Sequence, residues 1–150
     1  MDRFLSSAVN RVDAKGRVSV PGAFRALAAK RGYQELYALR ALDVGGMDLL
    51  ERYERQLEQT NPFLRTADDM SAYVHGEGTF LKLDGDGRIT MSDFIREHTG
   101  ITSEVGFLGR GQFFQIWEPE RMRQHLSDVR ARLTSLRQAA VQARSPGASE

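Results

Sequence analysis

Val12-Asp13-Ala14-Lys15-Gly16-Arg17-Val18-Ser19-Val20 and Leu83-Asp84-Gly85-Asp86-Gly87-Arg88-Ile89-Thr90-Met91 are two copies of one pattern. Apolar, Asp, any, any, Gly, Arg, apolar, Ser or Thr, apolar recurs without a gap. From Gly16 to Gly87 the spacing is 71 residues, nearly half of the 150-residue chain. One Asp-x-x-Gly-Arg is a chance event; two with matching flanks point to duplication. In each copy the Asp-to-Gly segment lies between short apolar runs. The Asp side chain can bond the backbone of a turn, and Gly supplies positive φ. The pattern predicts two β-hairpins. Val9 to Val12 would pair with Val18 to Val20, and Phe80 to Leu83 with Ile89 to Met91.

Working outward, the two copies stay in step. Pro21 breaks the first strand, and Phe24 to Lys30 reads as a short helix stopped by Gly32. In the second copy Ser92 or Asp93 caps a helix running to about Thr99, stopped by Gly100. Arg25 falls opposite Arg96, and Phe24 opposite Ile95. Leu36-Tyr37-Ala38-Leu39 matches Val105-Gly106-Phe107-Leu108 after a small shift. A glycine turn follows in each, Gly45-Gly46 or Gly109-Arg110-Gly111. An apolar strand is then expected at Met47-Asp48-Leu49-Leu50 and at Phe113 to Trp117, followed by a charged helix. Each copy reads β-β-α-β-β and then helix, an α+β class.

Thr60-Asn61-Pro62 interrupts the helical pattern between the copies, and a linking helix is expected from about Phe63 to Val74. The expected organisation is a first unit at 1–59, a link at 60–78, a second unit with a C-terminal helix at 79–143, and a disordered tail at 144–150. In that last helix Met122, Leu126, Val129, Leu133, Leu136 and Ala140 are spaced 4, 3, 4, 3, 4. This is an a/d seam. It can face the chain's own core or a neighbouring subunit.

Units of roughly 60 residues are marginal alone, so the halves should share a core or lean on a partner. Hydrophobic residues at 41% and charged residues at 27% fit a globular chain. There is no cysteine, which excludes disulfides and thiolate chemistry. No run reaches the ~18–20 apolar residues of a membrane span, and the N-terminus lacks a signal-like apolar stretch. A cytoplasmic chain with no membrane partner is expected. The net charge is only +1, yet the charge is unevenly placed. In residues 1–31, Arg3, Arg11, Lys15, Arg17, Arg25, Lys30 and Arg31 face only Asp2 and Asp13. Such a basic third suits an anionic partner, or else a solvated surface.

Asp13-x-x-x-Arg17 and Asp84-x-x-x-Arg88 resemble the paired Asp-x-x-x-Arg motifs of the MraZ family. That family joins two AbrB-like units in one chain. Phe4, Lys15 to Pro21 and Phe24-Arg25 fit its first half. Gly87-Arg88-Ile89, Phe107 to Gly111 and Ile116-Trp117 fit its second. The resemblance covers about residues 1–140. It implies a swapped-hairpin β-barrel built by both halves with peripheral helices. It also implies homo-oligomeric rings and binding to repeated promoter sites, most often repressing the division and cell-wall gene cluster, in association with the nucleoid. Two departures stand out: Asp86 replaces the Lys15 equivalent, and Met91-Ser92 stands where Leu-Pro is typical. Asp86 sets a negative charge beside Arg88 and favours the first copy as the DNA-facing one.

Arginine suits such a role because its planar fork bonds guanine O6 and N7, or phosphate, bidentately. Arg17 and Arg88 are assigned as contacts to double-stranded DNA, with Arg11, Lys15 and Arg25 as further contacts. Asp13 and Asp84 are assigned as orienting groups. From the residues alone, each Asp–Arg pair is equally a structural clip; the resemblance favours contact in the first copy. No cofactor, metal or catalytic residue is expected. An EF-hand starting at Asp84 would need Gly and a carboxylate where Ile89 and Ile95 stand. His75, His98 and His125 show no ligand spacing, and no phosphate loop or nucleophile elbow occurs. The alternative to a DNA regulator is a ring-forming protein-interaction module.

Overall fold

The computed structural model describes residues 2–39 and 43–144. The expected tail lies outside the described residues except for Arg144, which closes the last helix. The chain divides into a β-rich unit running to Pro119 and a helical unit that begins at Glu120.

The strands form where the repeat predicts them, but the two hairpins do not. β1 (Ser7–Arg11) and β2 (Arg17–Ser19) flank the first turn, and β5 (Gly78–Lys82) and β6 (Arg88–Thr90) flank the second. β1 pairs with β7 (Glu104–Gly109), and β5 pairs with β3 (Glu35–Leu39). β2 and β6 pair with each other. Every arm of a turn therefore finds its partner in the opposite half. The reason is burial. A lone two-stranded hairpin is marginal, and each β2-type strand has three residues with one inward side chain. Paired across halves, Val18 and Ile89 sit directly opposite and are both 1% exposed.

The register carries the duplication into three dimensions. Val18 faces Ile89, its own equivalent one repeat later, as a local twofold axis requires. β1–β7 and β5–β3 are the matching outer pairs, with Ala8 opposite Phe107 and Thr79 opposite Ala38. β4 (Asp43–Gly45) and β8 (Phe114–Trp117) join in the middle, where Asp43 faces Gln115. All pairings are antiparallel, and the six-stranded sheet has the order β1-β7-β8-β4-β3-β5. Its edges, β1 and β5, do not pair with each other, and β2–β6 is a separate ladder. Among the described residues no closed barrel forms, which corrects the barrel expected from the resemblance.

One core serves both halves. Val20, Phe24, Leu36 and Val44 of the first half share it with Met91, Ile95, Phe107 and Ile116 of the second. Phe4 is 1% exposed and stacks edge-on against Phe24 at 5.4 Å. It is anchored by reciprocal backbone bonds to Gly111. Gly109 permits this approach, since a Cβ there would lie 2.5 Å from the Phe4 carbonyl oxygen.

Two helices match expectation closely. α1 spans Gly22–Lys30, and α4 spans Asp93–Thr99. Ser92 caps α4 through its hydroxyl, which accepts from the Ile95 N–H at 3.3 Å, and Gly100 ends it in the left-handed region at φ 74°. The strand expected at Met47 to Leu50 is instead the start of α2 (Met47–Glu58). Leu49, Leu50 and Tyr53 pack there with Tyr37 and Leu39, a helical spacing that a four-residue window conceals. Asp48 also favours a helix N-terminus. The linking helix begins slightly later than expected and is α-helical only in its first part. α3 spans Arg65–Ser71 and is followed by one π-helical turn, Ala72–Gly76, whose Val74 carbonyl accepts from the Tyr37 hydroxyl at 2.7 Å. α5 spans Pro119–Arg144.

Candidate nucleic-acid interface

Asp13 organises the first turn with both carboxylate oxygens. Oδ1 accepts from the backbone N–H of Lys15 at 2.9 Å and of Arg17 at 2.8 Å. Oδ2 accepts from Arg17 Nε at 2.8 Å and ion-pairs with Nη2, also at 2.8 Å. Gly16 takes φ +79°, which closes the turn. The Arg17 backbone N–H, followed by its guanidinium, lowers the Asp13 carboxyl to about 2. The second turn repeats this geometry. Asp84 Oδ1 accepts from Asp86 N and Arg88 N, both at 2.9 Å, and Oδ2 accepts from Arg88 Nε at 2.9 Å. Its carboxyl is likewise lowered, chiefly by the Arg88 backbone N–H.

The two turns differ in charge at one position, Lys15 against Asp86. Asp86 Oδ2 accepts from Arg88 Nη2 at 3.0 Å. Arg88 is thus held by two carboxylates and Arg17 by one. A guanidinium has five donors in a fixed fork. Asp13 occupies the Nε edge of Arg17, so clipping the turn and presenting the far edge are compatible roles.

The β2–β6 ladder puts these arginines on one face. Val18 and Ile89 point into the core, so Arg17, Ser19, Arg88 and Thr90 all lie on the opposite, outward face. Ser19 faces Arg88 and Arg17 faces Thr90, which sets the two arginines on a diagonal. The Lys15 side chain is exposed on the turn itself.

One arginine side chain from the first helix of each half reaches the other half's turn. Arg25 Nε donates to the Val20 carbonyl at 2.9 Å, and its side chain lies over Gly87. A Cβ on Gly87 would meet Arg25 Cδ at 2.1 Å. Arg96 lies over Gly16, its Nη2 3.5 Å from where a Cβ would stand. The predicted residues Lys15, Arg17, Arg25 and Arg88 are therefore gathered about one ladder, each arginine held in place. Arg11 is not. It ends β1 in the large sheet, with Glu104 opposite it in register. Arg96 also lies beside this ladder, and its alignment with Arg25 is the sequence signal for that placement. Among the described residues no three His, Asp or Glu side chains converge as metal ligands.

A family model described as "MraZ protein, putative antitoxin-like" matches residues 75–144. A protein of Rhizobium rhizogenes named "Transcriptional regulator MraZ" is 54% identical over 125 residues, 80% of this chain and 86% of that protein. The chain belongs to the MraZ family. MraZ relatives with the same name occur in Rhizobium meliloti and Xanthobacter autotrophicus. The first is 47% identical over 135 residues, 87% of this chain and 92% of its own. The second is 41% identical over 144 residues, 93% and 92%. Membership of MraZ thus rests on most of the chain, beyond the paired motif.

Proposed function

We propose that this chain is a sequence-specific DNA-binding transcriptional regulator and has no enzymatic role. The observation that carries the reading is the outward face of the β2–β6 ladder. It holds Arg17 and Arg88 rigidly on two Asp-clipped turns, with Lys15, Arg25 and Arg96 close by. Fixed cations with a free guanidinium edge are what phosphate positioning and guanine readout require. The family name of the relatives supports the same reading. Arg17 is the leading contact, because Asp86 neutralises part of Arg88. Arg11, opposite Glu104, is a peripheral contact.

The exchange of strands between halves supports reading 1–59 and 79–143 as AbrB-like units related by swapped hairpins and joined through 60–78. One subunit carries few cations, so strong binding calls for a homo-oligomeric ring on promoter direct repeats. Linked sites multiply affinity by ~10²–10⁴. The regulated target is the chain's own division and cell-wall cluster, acted on by repression in the cytoplasm at the nucleoid.

The test is fluorescence anisotropy with DNA from just upstream of the chain's own gene, against shuffled DNA, across a salt series. The expected result is salt-sensitive preference for the upstream DNA. Arg17→Ala should weaken it by ~1–3 kcal/mol. Equal, weak binding of both DNAs at low salt would sink the proposal and leave a protein-interaction module.

A further inference from the structure

The helical unit carries a charge pattern that the DNA reading does not use. Arg123, Arg130, Arg137 and Arg144 recur at seven-residue spacing along α5. With Leu126, Leu133 and Ala140 as a positions and Met122, Val129 and Leu136 as d, these arginines fill every e position. The g positions hold His125, Arg132 and Ala139, and no acid follows Asp128 in the helix. Arg123 is paired with Glu120 on the same helix. Among the described residues Arg130, Arg137 and Arg144 have no ion-pair partner. Beside them the seam is open: Leu133 is 56% exposed and Leu136 is 65% exposed.

Apart from Val141, the large apolar side chains of α5 keep to a and d, and such a stripe is the narrow seam of helix-on-helix packing, narrower than the face that lies on a membrane. α5 also contains no aromatic residue to anchor it in lipid. A second copy of α5 is disfavoured by charge. Parallel pairing sets e against g and finds Arg against His, Arg or Ala; antiparallel pairing sets arginine against arginine. DNA would satisfy the cations but leave Leu133 and Leu136 wet. A helix with an apolar seam flanked by carboxylates satisfies both features.

We propose that α5, from Arg130 to Arg144, docks an acidic amphipathic helix of a partner protein. The partner's apolar seam covers Leu133, Leu136 and Ala140, and its Glu or Asp residues pair with Arg130, Arg137 and Arg144.

The probe is a labelled synthetic three-heptad helix with Leu at a and d and Glu at e and g, beside its Lys-for-Glu counterpart. Like-charge repulsion keeps each from pairing with itself at neutral pH. Anisotropy with the full chain should show the Glu helix bound at least about tenfold more tightly than the Lys helix. Arg130→Glu with Arg137→Glu should reverse that preference. Leu133→Asp with Leu136→Asp should abolish binding of both helices. All four positions are exposed, so far-UV circular dichroism should not change. Equal binding of the two helices, or a preference surviving the charge reversal, would overturn the proposal. So would binding only to phosphatidylglycerol vesicles or random duplex DNA. Loss of self-association in the Leu133→Asp, Leu136→Asp chain would overturn it in favour of a second copy.

Discussion

At the scale of single residues, Asp13 does two jobs with one carboxylate: it folds the turn and aims Arg17. Its folded pKa of about 2 lies below the ordinary 3.8. A depressed carboxylate stabilises the fold above its unfolded pKa, and that contribution is lost as pH falls through the folded value. The clip should therefore be complete above about 3.8 and open as pH falls through about 2. NMR titration of the Arg17 amide and Nε–H should show this midpoint, and Asp13→Asn should remove it. A midpoint near 3.8 would contradict the clip. The turn glycines offer a second contrast. Gly16 and Gly87 both hold positive φ, so alanine at either should cost ~1–2 kcal/mol from left-handed strain. Gly87→Ala should cost more, because its Cβ also collides with Arg25, whereas Gly16 leaves 3.5 Å to Arg96. Thermal melts of the two variants would rank them; equal losses would mean that Arg25 moves aside freely. The Asp, Gly and Arg of the turns were readable in the sequence because turn chemistry is local. The crossing of Arg25 and Arg96 was not, since it depends on which half each helix packs against.

At the scale of elements, the contrast between α4 and α2 shows what local signals convey. α4 begins and ends where Ser92 and Gly100 predict, because caps act within a few residues. Ser92→Ala should lower stability by ~1 kcal/mol in chemical denaturation. The first turn of α2 reads as a strand in sequence, because Met47 to Leu50 alone carries no helical period. Its packing is defined by groups far away in sequence. The Tyr53 hydroxyl donates to Asp43 Oδ2 at 2.7 Å, and Gln115 Nε2 donates to Asp43 Oδ1 at 2.6 Å. Burial and then the Asp43 carboxylate push the Tyr53 phenol well above the ordinary tyrosine value, and burial pushes Tyr37 up to about 12. Ultraviolet titration should show two tyrosines ionising far later than 10, and Tyr53→Phe should remove the later one. That variant should also cost ~1–2 kcal/mol, as Asp43 loses a charge-assisted bond while Gln115 remains. An unchanged melt would show that water replaces the hydroxyl.

At the scale of the whole molecule, the halves are interleaved. Each turn's two strands pair with the other half, and one core takes side chains from both. Residues 1–59 expressed alone should therefore show no cooperative melt as a monomer, and should fold when co-expressed with the remainder. Size-exclusion chromatography and calorimetry would check this; a cooperative, monomeric first half would refute the interleaving. The sequence by itself determined the duplication, the two Asp–Arg turns, the capped helices and the MraZ resemblance. All of these are written in spacing and in local hydrogen-bond chemistry. Only the tertiary structure decided that the turns do not close hairpins, that the sheet stays open, and that Arg25 and Arg96 lie over opposite turns. Alternating apolar residues state which face of a strand is buried, but not against which strand. That choice was settled by the surface that two short, half-apolar strands could bury only by pairing across the repeat.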